Sequence, residues 1–378
     1  MRIKPSEHME LYPDSRDVYR FMLIPFYANK TLYSDSSKCI LRNKGKTGRQ
    51  FPYTIVYDQC FSPCGKYLAA GSNYGDIAIF NMSAALSSDA TEKSKHPVFI
   101  FKGCKDGGIF CLTSTETFLL SAGDGEIQAW RWSDLTAKTA KLAWSLTLPR
   151  SGVLANAEVN SMIINQQSHK SCLYAGGGDK KIHTWDLETG QYLSALEGHT
   201  DYIHKLLLMN EGQDCLSASE DGTVRIWDTR TTGESVQCIE PFKNELCARP
   251  LMGKWLRCLA VDSEEGWLIC GGGPKMSAWH LRTLSPTTVF DTPSVSQNVA
   301  LFHEDYILSA GSLACMNHWM LTGQLKSSIP CSPTSVFSLN INKRSDASKV
   351  LCIAGASPYI DVCINFGYTS FALVFQAA

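Results

Sequence analysis

The apolar positions of this chain recur as a phrase: a strand of small residues, a tight turn, then a β-rich run ending in an aromatic. The phrase runs from Leu68-Ala-Ala-Gly-Ser to Phe80, from Leu120-Ser-Ala-Gly-Asp-Gly to Trp130, from Tyr174-Ala-Gly-Gly-Gly-Asp to Trp185, and from Leu216-Ser-Ala-Ser-Glu-Asp-Gly to Trp227. Three further copies end at Trp279, Trp319 and Cys363. The mean step is about 47 residues, the spacing of propeller blades. Each copy holds two more apolar runs, so the predicted unit is a four-stranded antiparallel meander. In the fourth copy its strands are expected at residues 202–209, 214–219, 223–228 and 235–240. Ile226 and Trp227 are adjacent and both apolar, so they point to opposite faces and both faces must be covered. Radial stacking covers them, and closure of the ring protects the strand edges.

The predicted fold is therefore all-β. A seven-bladed propeller of four-stranded antiparallel blades spans residues 54–378, behind a tail, 1–53, that is poorly ordered or partly packed. The small second strands suit a crowded position near the axis. The last strand, residues 371–375, either finishes blade 7 unaided or is joined by a segment before Tyr57. In such a meander the connections between blades share one end of the ring with those between second and third strands. Insertions at residues 149–158 and 241–254 rise from that end, and those at 84–96 and 133–141 from the other.

Composition narrows the function. With 35 basic against 36 acidic residues, the net charge of −1 supplies no field to hold a polyanion. At 44% hydrophobic and 19% charged, the chain can bury a large core. The longest apolar run, residues 21–28, contains Pro25 and falls short of the roughly 18 residues a membrane helix needs. The start lacks a basic region leading into an apolar stretch, so a cleaved signal peptide is not expected. Fifteen cysteines without a Cys-x-x-Cys pair argue against a zinc site and for reduced, mostly buried thiols in an intracellular protein. No nucleophile elbow, phosphate cradle or metal spacing occurs, and no catalytic site, metal or cofactor is expected. Gly45-Lys46-Thr47 mimics the end of a P-loop, but Ile40 stands where its first glycine belongs.

Gly198-His199, Asp221-Gly222 and Trp227-Asp228 resemble the WD40 repeat. That resemblance implies a buried hydrogen-bonded network of His199, Asp221, Trp227 and a strand serine, Ser217 or Ser219. A catalytic His199–Asp221–serine triad is the sharper alternative, and it fails if these residues are sealed inside a blade. Other copies depart from the pattern. Gly103-Cys104 replaces Gly-His in one, and blades five to seven have no such histidine.

Longer phrases are more specific. Ser62-Pro-Cys-Gly-Lys-Tyr-Leu-Ala-Ala-Gly-Ser-Asn-Tyr-Gly-Asp-Ile-Ala-Ile-Phe80, Ala84-Ala-Leu-Ser-Ser88, Leu119-Leu-Ser-Ala-Gly-Asp-Gly-Glu126, Leu196-Glu-Gly-His-Thr-Asp-Tyr-Ile-His204 and Cys270-Gly-Gly-Gly-Pro274 resemble the THO complex subunit 6 family of WD40 proteins, from about residue 60 onward. The first fifty-odd residues do not resemble that family's start. The resemblance implies a non-catalytic scaffold of the THO part of the transcription-export (TREX) complex, coupling mRNA transcription, processing and splicing to nuclear export. It implies other THO subunits as partners, especially the coiled-coil ones, with an RNA helicase and export adaptors nearby. It also implies nuclear localisation, in nuclear speckles with some cytoplasmic protein, and links to development and restraint of apoptosis. No aromatic-plus-basic stacking surface is evident, so RNA contact is expected to be indirect or weak.

Candidate contacts follow from the loops. Phe242, Leu246 and Leu251 lie in the 241–254 insertion, where either the ring or a partner must cover them. Trp227-Asp228-Thr229-Arg230 matches the Trp-Asp-x-Arg box through which some WD40 substrate receptors dock on a cullin-RING ubiquitin ligase, and Arg230 is its donor fork. That is the alternative function. Lys38, Arg42, Lys44, Lys46 and Arg49 form a basic cluster with no acid between them: a solvated tail, a nuclear-import signal or a phosphate-contacting arm.

Overall fold

The computed structural model describes residues 51–149, 157–166, 171–231, 233–292, 295–342 and 349–377. Among the described residues, twenty-eight strands fall into seven sheets of four, each built from consecutive strands and antiparallel throughout. The chain is thus a seven-bladed propeller. Blade 4 is Ile203–Met209, Asp214–Ser219, Val224–Asp228 and Gln237–Ile239, so its outer strand is shorter than the sequence suggests. Two short helices, α1 (Met82–Ala85) and α2 (Trp132–Thr136), follow third strands at the end of the ring where two of the insertions were expected. The division at residue 53 falls at the edge of the description, and the tail's structure lies outside the described residues.

Trp227 and Ile226 show why a blade cannot stand alone. Trp227 packs toward Tyr174, Ile182 and Leu196 of blade 3, whereas Ile226 packs toward Leu256, Leu268 and Trp279 of blade 5. Each face of the sheet is the core of a different interface. The first strands touch one another in sequence around the whole ring, from blade 1 to blade 7 and back, and so lie nearest the axis. This corrects the expectation for the small second strands, whose crowding has another source. A Cβ on Gly71 would lie 2.5 Å from Ile109, and one on Gly176 3.0 Å from Ile203, each in the approach to the next blade.

The ring closes without strand exchange. All four strands of blade 7 are consecutive, its last being Thr369–Val374, and no described segment before Val56 joins it. Val56, Leu68 and Phe80 of blade 1 pack with Val350, Val362 and Leu373 of blade 7. Polar side chains stitch the seam: Gln59 Nε2 donates to Cys352 O at 2.8 Å, Asn340 Nδ2 to Gln59 O at 2.8 Å, and Asn342 Nδ2 to Gly65 O at 2.9 Å. Asn165 makes the same kind of bond to Gly212 O, at 2.8 Å, between blades 3 and 4. The closing seam therefore uses ordinary inter-blade chemistry. Asn342→Ala is expected to cost about 1–2 kcal/mol in urea unfolding, because it leaves a buried bond unmade. Hydrogen exchange should quicken first in the strands of blades 7 and 1, and uniform exchange around the ring would contradict the seam's role.

Candidate functional site

In blade 4, His199 arrives from the inter-blade loop and Asp221 from the turn between second and third strands. The ring nitrogen Nδ1 of His199 lies 2.8 Å from Asp221 Oδ2, and Nε2 lies 2.6 Å from Ser217 Oγ. Trp227 Nε1 donates to the same Ser217 oxygen at 2.8 Å. In a neutral imidazole the donor count sets the tautomer: Ser217 accepts from the indole and donates its hydroxyl proton to Nε2, leaving the Nδ1 proton for Asp221. Asp221 also accepts from the amides of Thr200 and Thr223 and from the Thr223 hydroxyl. Burial by itself would raise the Asp221 carboxyl, but its bonds to His199 and Thr223 hold it well below the usual carboxylate range. Ser219 sits beside the network, donating to Asp201 O and accepting from the Asp221 amide to shape the turn.

Serine, histidine and aspartate thus stand in triad order, yet the His199 side chain is 0% exposed and that of Asp221 3%. No substrate atom can reach Ser217, so the arrangement anchors the blade.

Other blades keep fragments of this anchor. Trp130, Trp279 and Trp319 each donate an indole proton to a serine: Ser121, Ser277 and Ser309, respectively. Blade 3 rebuilds the pair from one turn and its strand, with Asp179 Oδ2 2.6 Å from His183 Nε2 and both side chains buried. In blade 7, Ser332 donates its amide and hydroxyl to buried Asp361, whose carboxyl burial pushes up. Neither pair follows the repeat's motif, because one partner of each sits on the third strand; Asp179-x-x-x-His183-x-Trp185 is the signal the sequence offers.

The 241–254 insertion is tied to the loops beside it. Arg249 spends all five guanidinium protons on carbonyls: Nε on Gly273, Nη1 on Thr292 and Val295, Nη2 on Gly272 and Pro274, at 2.8–3.0 Å. Lys275 N donates to Cys247 O at 2.8 Å. The three apolar residues then part company. Phe242 is half-buried, tucked against Gly222 with the Lys243 and Lys254 ammonium groups 5.9 and 5.6 Å from its ring centre. Leu246 is 67% exposed and Leu251 85%. Leu246 borders an open groove of about 440 Å³ shared with Lys275, Pro286, Thr287, Val289 and Asp291.

Arg230 is exposed, but its fork is engaged within the box itself. Nε and Nη2 donate to the two oxygens of Asp228, at 2.9 and 2.8 Å, and Nη1 to Gln213. That bond holds the Asp228 carboxyl down to about 2.

Near the axis, Arg257 of blade 5 stacks on Phe337 of blade 7, 5.2 Å from the ring centre, although these blades are not neighbours. Phe337 and Phe110 flank Tyr57, whose hydroxyl burial pushes up to about 12. His204 meets Glu220 at 2.6 Å beside them. This collar is not legible in the sequence, because its members are scattered over blades 1, 2, 4, 5 and 7.

Among the described residues every cysteine is free, and burial pushes the Cys215 and Cys270 thiols up to about 12. No group of three or more His, Cys, Asp or Glu among them could hold a metal ion, and no helix is long and apolar enough to cross a membrane. Lys38, Arg42, Lys44, Lys46 and Arg49 lie outside the described residues.

Seven blades of this build, with a His–Ser–Asp–Trp anchor in the fourth, define a WD-repeat propeller, and the WD domain, G-beta repeat model matches residues 45–81 and 190–228. The chain is 49% identical to THO complex subunit 6 homolog of Danio rerio over 320 residues, covering 85% of this chain and 97% of the relative. It is 46% identical to THO complex subunit 6 of Homo sapiens, covering 85% and 93%, and 32% identical to that of Drosophila melanogaster, covering 84% and 88%. The chain belongs to the THO complex subunit 6 family.

Proposed function

We propose that this chain is a non-catalytic scaffold subunit of THO, within the larger assembly that couples mRNA transcription and processing to nuclear export. It works in the nucleus, including nuclear speckles, with some protein in the cytoplasm. The relatives' names supply the complex. The observation that carries the scaffold reading is the clamped insertion: Arg249 fixes a loop whose two leucines face solvent, at 67% and 85% exposure. A rigid loop presenting Leu246 and Leu251 is preorganised for a partner, since little order is lost on binding. Other THO subunits, the coiled-coil ones foremost, would dock here. The helicase and export adaptors would then be neighbours in the assembly, and RNA would be touched indirectly or weakly.

Leu246→Asp with Leu251→Asp is expected to reduce co-purification with THO subunits from nuclear extract by at least about tenfold while leaving the melting temperature unchanged, because both side chains are surface-exposed. Unchanged recovery would remove this loop from the interface. Failure of the wild-type chain to bring down any THO subunit would overturn the function itself.

A further inference from the structure

The loops at one end of the ring divide sharply by charge. Over blades 2 to 5 they carry Lys105, Asp106, Lys180, Glu197, Lys243 and Asp291, among others. Past Asp291, at the entry to blade 6, the loops over blades 6 and 7 and the run into blade 1 carry none. Residues 295–296, 312–314, 331–335, 356–359 and 51–54 contain no Asp, Glu, Lys or Arg, in a chain that is 19% charged. The opposite ends of these blades are charged in the ordinary way, with Lys66, Glu304, Asp305, Lys326 and Lys349. The deficit therefore belongs to one face rather than to one stretch of chain.

Hydrogen bonds join these loops into one surface. Ser312 N donates to Ser296 O at 3.0 Å, Ser335 Oγ to Gly311 O at 3.3 Å, and Ala356 N to Ser335 O at 2.8 Å. Phe51 then meets Tyr359 edge-on, with ring centres 6.0 Å apart. Tyr53, Leu313 and Tyr359 stand out from this surface, 73%, 50% and 41% exposed. Exposed loops normally carry charge because water solvates it at little cost. A charge-depleted patch with protruding tyrosines has instead the composition of a protein interface core.

We infer that this sector is a second docking surface, and that its occupant is an uncharged, apolar-faced segment of a partner subunit in the same complex; the occupant's source rests on the THO reading above. Charge selects the occupant. The exposed loops of the sector offer no counter-ion: Asp361 beneath them is buried and bonded to Ser332, and Arg249 at their edge is spent on carbonyls. Any Lys, Arg, Asp or Glu buried against the sector would therefore go unpaired, and only a neutral segment seats without that penalty. The same absence makes the association insensitive to salt, unlike one steered by surface ions.

The test uses the full chain in its complex. Leu313→Arg and Thr334→Lys each place a charge in the sector, with Tyr368→Lys and Leu325→Lys as equally exposed changes at the other end of the ring. The sector variants should fold with unchanged melting temperature and lose THO subunits by at least about tenfold, while the other two retain them. Wild-type association should survive transfer from about 0.1 to about 0.5 M salt. Hydroxyl-radical footprinting should find Tyr53, Leu313 and Tyr359 reactive in the isolated chain and protected in the complex. Undiminished binding by both sector variants, or wild-type release by salt, overturns the proposal and leaves THO membership standing. Protection already present in the isolated chain means that a second copy or the chain's own amino-terminal segment is the occupant, and also overturns it. If wild type recovers no THO subunit, the functional reading falls and this assignment falls with it.

Discussion

Arg249→Ala is expected to cost about 3–5 kcal/mol of folding stability, out of the 5–15 kcal/mol typical of a domain. The reason is geometric. One guanidinium satisfies five carbonyls drawn from two loops that lie 23 to 46 residues further along the chain, at the turn of blade 5 and on the way to blade 6. Each is a charge-assisted bond worth about 1.5–3 kcal/mol, and truncation abandons all five acceptors together, some of which water will recover because the residue is only part-buried. Arg249→Lys is not a conservative change here. A lysine carries three donors on a tetrahedral head and cannot span carbonyls that a planar fork reaches in two directions. It should recover less than half of the loss. Equilibrium urea unfolding measures both variants, and a shift under about 1 kcal/mol for Arg249→Ala would contradict the clamp. The functional corollary is separable: a loosened insertion no longer presents Leu246 and Leu251 in a fixed place, so binding to THO subunits should weaken even under conditions where the variant stays folded.

His199→Ala is the second large effect, expected at about 2–4 kcal/mol. Removing the imidazole leaves Ser217 with only its bond from Trp227 and takes from Asp221 its closest nitrogen partner, inside a blade where neither can turn to water. Asp221→Asn should cost a comparable amount, and the double variant less than the sum, because both sever one network. The pH dependence has a definite sign. The folded Asp221 carboxyl lies below its unfolded value, so its contribution is fully present above about pH 4 and is lost as pH falls further toward the folded value. Wild type should therefore lose stability in that acid window, and Asp221→Asn should show a shallower loss there. Parallel acid profiles for the two proteins would exclude Asp221 as the source.

Much of this anchor is implied by the resemblance to the WD40 repeat. Gly198-His199, Asp221-Gly222 and Trp227-Asp228 stand at the repeat's positions, and the structure joins the histidine to the tryptophan through Ser217 and directly to the aspartate, leaving Ser219 to the turn. The pairs Asp179–His183 and Ser332–Asp361 are not legible in the repeat's pattern, because each places one partner on a third strand, where the repeat specifies neither a histidine nor an aspartate. Arg249 is illegible for a different reason: in the sequence it is one basic residue in a polar loop, and nothing nearby announces five carbonyls. In the sequence, the loop's leucines and phenylalanine stand alike as residues that the ring or a partner must cover. Only the packing against Gly222 separates Phe242, which the ring holds, from Leu246 and Leu251, which it does not.

The chain alone therefore determined the strands, their grouping in fours, the sevenfold repeat and the family, because alternation, turn residues and recurring phrases are local properties written within a few tens of residues. Tertiary structure decided the rest: a seam closed by side chains instead of a borrowed strand, a collar in which Arg257 reaches Phe337, and a face on which separated loops form one uncharged surface. These depend on which residues the closed ring brings side by side. Covering both faces of every blade is what forces that closure, and no short window of sequence contains its result.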